Sequence, residues 1–155
     1  MRLTDILRTD CVKIPLVATD KQAAIYELVD LLADGEGLDG HDELREAVWK
    51  REQTRTTGIG HGIAIPHGKI SGCDRLCMAV GKADPPIEFG AIDDKPVELI
   101  FLLASPADQT GPHIQALAQI SRILTDGEFR IAMRAAESAE QVYALIADEE
   151  AKAPV

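Results

Sequence analysis

Arg51, His67 and His113 stand out by residue type and position. His67 lies in the stretch GIGHGIAIPHGK, residues 58–69, between Pro66 and Gly68. Proline fixes the backbone before it, and glycine admits close approach after it. An imidazole held this way is presented stiffly at a surface. Two readings are open: a turn histidine without chemistry, or a histidine that reacts. The sequence has no GxSxG elbow, and GIGHG is neither a Walker loop nor a dinucleotide fingerprint. No carboxylate stands close by in sequence to partner a general base. What remains is His67 as nucleophile. A neutral imidazole attacks phosphorus, and the phosphohistidine formed passes its group on because protonated imidazole leaves well. Such transfer asks for in-line placement and positive charge around the moving oxygens.

Arg51 and His113 are both out of pattern. Leu44, Ala47 and Val48 form an apolar helical stripe, and the position seven after Leu44 is Arg51. A charge there either snorkels to water or has a partner. A guanidinium at a helix end can fork two hydrogen bonds onto a phosphoryl group. His113 heads the stripe His113, Leu117, Ile120, Leu124 in the first turn of a helix, where free N–H groups favour an anion. His61 and His67, six apart, would share one face of an extended strand but sit about 20 Å apart. With no HExxH pattern either, no metal and no cofactor are expected. His41, before a helix, reads as a surface residue.

These residues need a scaffold. Residues 19–34 read as a helix, with capping-box spacing at Thr19 and Gln22 and a buried face of Ile25, Leu28, Val29 and Leu32. Residues 42–53 read as a second helix. TTGIGHG is a loop, and IAIPH a short strand stopped by its proline. LCMAVGKA (76–83) reads as a strand. VELIFLLAS (97–105) is apolar almost throughout, as a central strand covered on both faces would be. ADPPIEF reads as a loop carrying a short edge strand. A third helix opens at TGPHIQALAQISRIL, with Pro112 suited to its first position. Two more follow, Glu128 to Ala136 and Ser138 to Asp148, the latter with a capping box at Ser138 and Gln141. The pattern predicts an α/β fold, a mixed β-sheet sandwiched between helices in three layers. It forms a single domain over residues 1–150, with a frayed tail at 151–155.

Composition removes several function classes. The chain has 155 residues, 46% of them apolar, enough for one sizeable core. Its net charge of -10 repels phosphate backbones, which argues against nucleic acid and for a basic protein partner. Cys11, Cys73 and Cys77 form no CxxC pair and read as buried thiols. No apolar run approaches the roughly 20 residues of a membrane span. The opening MRLTDILRTD lacks the pattern of a signal peptide, so a cytoplasmic location is expected.

Arg51-Glu52, followed by Gly58-Ile59-Gly60-His61-Gly62-Ile63-Ala64-Ile65-Pro66-His67-Gly68, closely resembles an active-site signature. It is that of the fructose/mannitol-type enzyme IIA domain of the bacterial phosphoenolpyruvate-dependent phosphotransferase system. The resemblance runs from LTDIL to the last helix. It implies that His67 takes a phosphoryl group from the phosphohistidine of HPr or a nitrogen-type relative. Arg51 and His113 are implied beside that group, with Thr57, Gly58 and Gly68 supporting the phosphate loop. The family fold, a mixed sheet between helices, agrees with the reading above. The family usually has asparagine where this chain has His61, which is expected at the loop surface. A free-standing chain of this length resembles the nitrogen-regulatory branch, whose members act on target proteins. The alternative is a sugar-specific component that passes phosphate to an enzyme IIB cysteine. A third reading, an interaction module without chemistry, sits poorly with an intact Arg51, His67 and His113.

Overall fold

The computed structural model describes residues 1–152. Its centre is β6 (Val97–Pro106), buried along nearly its whole length. Its side chains alternate between two cores, as a strand must. Ile100, Leu102 and Ala104 pack into one core with α1 (Lys21–Glu36) and α2 (His41–Thr54). Leu99, Phe101 and Leu103 pack into the other with α3 (Thr110–Ile123), α4 (Gly127–Ala135) and α5 (Ala139–Lys152). This is the expected three-layer α/β arrangement.

The sheet is mixed. β5 (Cys77–Ile87) runs antiparallel to β6, and β1 (Leu7–Lys13) runs parallel to β5. On the other side of β6 lie β3 (Ile63–Ala64) and β4 (His67–Ile70), both parallel to it. β2 (Gly58–Gly60) closes a hairpin against β3. β3 and β4 are one strand with a gap. Ala64 faces Ile100 and His67 faces Leu103, so the register is unchanged across it. Pro66 has no N–H to donate, and the Ile65 N–H turns aside to the Thr57 carbonyl, 3.0 Å away. The proline therefore interrupts the strand where the sequence predicts an end, and His67 is the first residue of its resumption.

Other expectations shift for equally local reasons. ADPPIEF is mostly a bulged continuation of β5. Lys82 faces Leu99 and Ile87 faces Val97, and the two prolines between them cannot donate to the ladder. Asp20 caps α1, accepting from the Ala23 N–H at 2.9 Å, in place of a box built on Thr19. Pro112 is the third residue of α3, still within the turn whose N–H groups have no helical acceptor. Ser138 does accept from the Gln141 N–H at 3.2 Å, but the Gln141 side chain returns to the Glu137 N–H. The three cysteines are buried and free, as expected. α5 extends to Lys152, so the first two residues of the expected tail are helical; residues 153–155 lie outside the described residues.

β4 packs against α2 through Gly68. A Cβ there would stand 3.1 Å from the Val48 nitrogen and 3.3 Å from the Ala47 carbonyl carbon. Backbone of this kind yields only if the helix moves. Gly68→Ala is therefore expected to destabilise the fold by about 1–3 kcal/mol, read as a lowered urea midpoint at unchanged slope.

Candidate functional site

Among the described residues β4 pairs only with β6, so it forms the sheet edge at this level. The C-terminal turns of α2 flank it on one side and the first turn of α3 on the other. Period-two alternation turns Gly68 and Ile70 toward α2 and leaves His67 and Lys69 on the opposite face. Between the two helices lies a cleft of about 510 Å³. Lys50, Arg51 and Thr54 from α2, His67, Gly68 and Lys69 from β4, and His113 from α3 line it. The lining holds three cations and no carboxylate, in a chain with 26 acidic residues. The local field thus opposes the net charge, and the cleft suits an anion.

His67 is half-buried, and its Nδ1 lies 2.8 Å from the Ile65 carbonyl oxygen. A carbonyl only accepts, so Nδ1 carries the proton and Nε2 is left with a free lone pair. Burial pushes the His67 pKa below its usual value. The Ile65 hydrogen bond opposes that shift and the Arg51 charge adds to it. The His113 ring stands edge-on, with its centroid 5.3 Å from that of His67. Burial, then the neighbouring His67 and Lys69, push its pKa down to about 4. The site thus presents two neutral imidazoles at pH 7.

Arg51 donates one hydrogen bond, from Nη1 to the Arg55 carbonyl at 2.8 Å. Its remaining donors have no partner among the described residues. Lys69 Nζ donates to Thr110 Oγ1 at 3.3 Å, bridging β4 to the start of α3. The sequence reading missed Lys69, although it lies two residues beyond His67 and therefore on its face of a strand. It also missed Lys50, one residue before Arg51.

The structure brings Arg51, His67, Gly68 and His113 together, but not Thr57 or Gly58. Thr57 is buried, and its N–H and hydroxyl both donate to Glu52, at 2.7 and 2.5 Å. The Glu52 carboxylate is itself buried and also takes Lys21 Nζ at 3.0 Å. At Gly58 a Cβ would meet Ala91 Cβ at 2.8 Å. Both residues fasten the loop to the body of the domain; neither lines the cleft. Glu52 is the residue through which Thr57 acts, and the sequence reading gave it no role.

His61 is exposed, at the tip of the β2–β3 hairpin with φ +57°. Its N–H donates to Asp93, and its carbonyl accepts from Arg134. Asparagine and histidine are both enriched among the non-glycine residues that enter this left-handed region. The conformation explains the exchange without any chemistry. Four strand positions, about 13 Å, separate Ile63 from His67, so His61 stands at the other end of the strand. His41 is partly exposed and bonded to Asp34 at 2.8 Å. Among the described residues no three His, Cys, Asp or Glu side chains gather as metal ligands. No described helix is long and apolar enough to cross a membrane.

Comparison with known proteins finds relatives in sequence and in fold. The family model of the phosphoenolpyruvate-dependent sugar phosphotransferase system, EIIA 2, matches residues 5–149. A nitrogen regulatory protein of Bradyrhizobium diazoefficiens is 34% identical over 149 residues, covering 95% of each chain. The fructose-specific EIIABC component of Bacillus subtilis is 30% identical over 146 residues. That is 94% of this chain and 23% of the other. The crystal structure of nitrogen regulatory protein IIA-Ntr from Neisseria meningitidis superposes with a TM-score of 0.86 at 30% identity, covering 93% of this chain and 98% of that one.

The lowered His113 pKa has a thermodynamic consequence. Between the ordinary value of 6.5 and about 4, the unfolded chain binds a proton at His113 that the folded chain does not. Stability contributed by this residue is whole above pH 6.5 and is lost as the pH falls, by up to about 3 kcal/mol. Urea unfolding at a series of pH values is expected to show this slope in the wild type, and a shallower one in His113→Gln.

Proposed function

The chain belongs to the EIIA 2 family of the phosphoenolpyruvate-dependent sugar phosphotransferase system, and we propose that within it His67 accepts a phosphoryl group from the phosphohistidine of an HPr-like carrier. The observation that carries this reading is the Nδ1 bond to Ile65, which leaves Nε2 unprotonated in a cleft of cations. Nε2 attacks phosphorus in line. The N–P bond to the donor ring breaks, its electron pair stays on the donor nitrogen, and a new N–P bond forms at Nε2. The proton stays on Nδ1 throughout, donated to the Ile65 carbonyl. The product is thus already the protonated phosphoimidazole that leaves readily in the next step, and no proton has to move. Arg51, Lys50 and Lys69 surround the three oxygens with charge, and Arg51 has the donors to take two of them.

The net charge of -10 supports a carrier with a basic face. In this reading the protein works in the cytoplasm, as a regulatory phosphocarrier of the nitrogen type whose phosphorylation state a target protein reads. The end-to-end match to a nitrogen regulatory protein supports that choice. The second reading is a sugar-specific donor to an enzyme IIB cysteine, and the likeness to the fructose-specific component supports it.

Incubation with phosphoenolpyruvate, enzyme I and a phosphocarrier is expected to add one acid-labile phosphoryl group to the wild type. The His67→Ala variant should stay folded and take none; a full label on that variant would remove His67 from the role. Arg51→Ala is expected to slow single-turnover transfer by tenfold or more, about 1.4 kcal/mol, while carrier affinity stays near wild type. The reverse pattern, weak docking with a normal rate, would make Arg51 a docking residue.

A further inference from the structure

We propose that Ser105 is a positioning residue that fixes His113 as an N–H donor toward the group carried by His67. The role in transfer rests on the reading above, but the proton assignment does not. Ser105 lies near the end of β6, facing Lys69 across the β4–β6 pair, and is fully buried. Three residues separate the end of β6 from the start of α3, so Ser105 sits beneath the first turn of that helix. Its Oγ is 2.6 Å from His113 Nδ1.

One hydrogen bond can be made in two ways. If Nδ1–H donates, the serine hydroxyl must place its own hydrogen elsewhere. No second acceptor for Ser105 Oγ occurs among the described residues, and with zero exposure the hydroxyl is out of reach of bulk solvent. A buried hydroxyl hydrogen without an acceptor is unfavourable. If the hydroxyl donates, the serine hydrogen and the Nδ1 lone pair are both satisfied. A neutral imidazole has one proton, so it then resides on Nε2, on the side of the ring turned away from Ser105. The low basicity of His113 fits, because the ring stays neutral and keeps a single tautomer.

The two imidazoles are then in complementary states. The Ile65 carbonyl forces His67 to expose a lone pair, and the Ser105 hydroxyl forces His113 to expose an N–H. A donor 5.3 Å away, centroid to centroid, is placed to meet a phosphoryl oxygen on His67 and to leave the nucleophile unblocked. With the opposite tautomer His113 would present a lone pair to an anion, which is repulsive.

Long-range proton–nitrogen correlation spectra of the unphosphorylated protein, labelled with nitrogen-15, read each tautomer directly at pH 7. Wild type is expected to show His67 protonated at Nδ1 and His113 at Nε2. In Ser105→Ala the His113 pattern should move toward a mixture, and single-turnover phosphoryl transfer should slow about tenfold. Ser105→Thr, which keeps the hydroxyl, should restore the single tautomer and most of the rate. In a His113→Ala background, Ser105→Ala should change the rate less than twofold, since Ser105 acts only through that ring. A wild-type His113 protonated at Nδ1, or an undiminished Ser105→Ala effect without His113, would overturn the proposal. A correct tautomer in a protein that takes no phosphoryl group would overturn the relay reading and leave the proton assignment standing.

Discussion

The pairing of β4 with β6 is the constraint on which the site depends. Holding His67 opposite Leu103 sends its side chain, and that of Lys69, to the face that α3 covers. The same pairing brings Gly68 against the backbone of α2, so the helix that carries Arg51 is seated by contact with the strand that carries His67. The interruption at Pro66 is part of this arrangement. Ile65 lies outside the β3 and β4 ladders, and its carbonyl is available to His67 Nδ1. Gly62 and Pro66 turn their carbonyls to β6, so the Ile65 carbonyl points to the open side of the strand. Proline, which cannot donate a ladder hydrogen bond, secures the gap locally.

One set of charges does two things in the cleft. Cations are needed to hold a phosphoryl group, and the same cations disfavour protonation of the imidazoles beside them. Arg51 and Lys69 both lower the His67 pKa, and Lys69 lowers that of His113. Burial acts in the same direction. A neutral imidazole and an anion-binding pocket therefore do not compete, because conditions that favour one favour the other. The acidic residues that dominate the rest of the chain are kept out of the lining. Glu52, next to Arg51 in sequence, does not line the cleft, and its carboxylate is occupied by Lys21 and Thr57.

What was legible in the sequence follows from which forces act locally. β6 could be read because both faces are buried and its apolar run is continuous. The helices could be read from their stripes. Arg51 and His113 stood out because each breaks such a stripe, and His67 because its neighbours constrain the backbone. Thr57 matches the family loop and so reads as phosphate support; its bonds to Glu52, five residues earlier, depend on how the chain bends after α2. Lys69 and Ser105 face one another across a strand pair, and pairing register is a tertiary property. ADPPIEF misled because its prolines suggest a loop, whereas burial of Ile87 against β6 carries the strand past them. His61 was readable as bland, and the backbone supplies the reason.

His61 and His67 sit at opposite ends of one strand and show what decides the fate of a histidine. His61 is held by its backbone alone, its N–H and carbonyl fixed by Asp93 and Arg134, and its ring faces water. His67 is held by its ring. Access completes the difference. β4 is an edge strand, and an edge invites pairing with other chains. Here it is only four residues long, it carries Lys69, and α2 and α3 flank it. Each of these blunts the edge against another strand. Each also shapes the cationic cleft. Protection of the edge and construction of the site thus draw on the same residues, so a substitution at Lys69 acts on both.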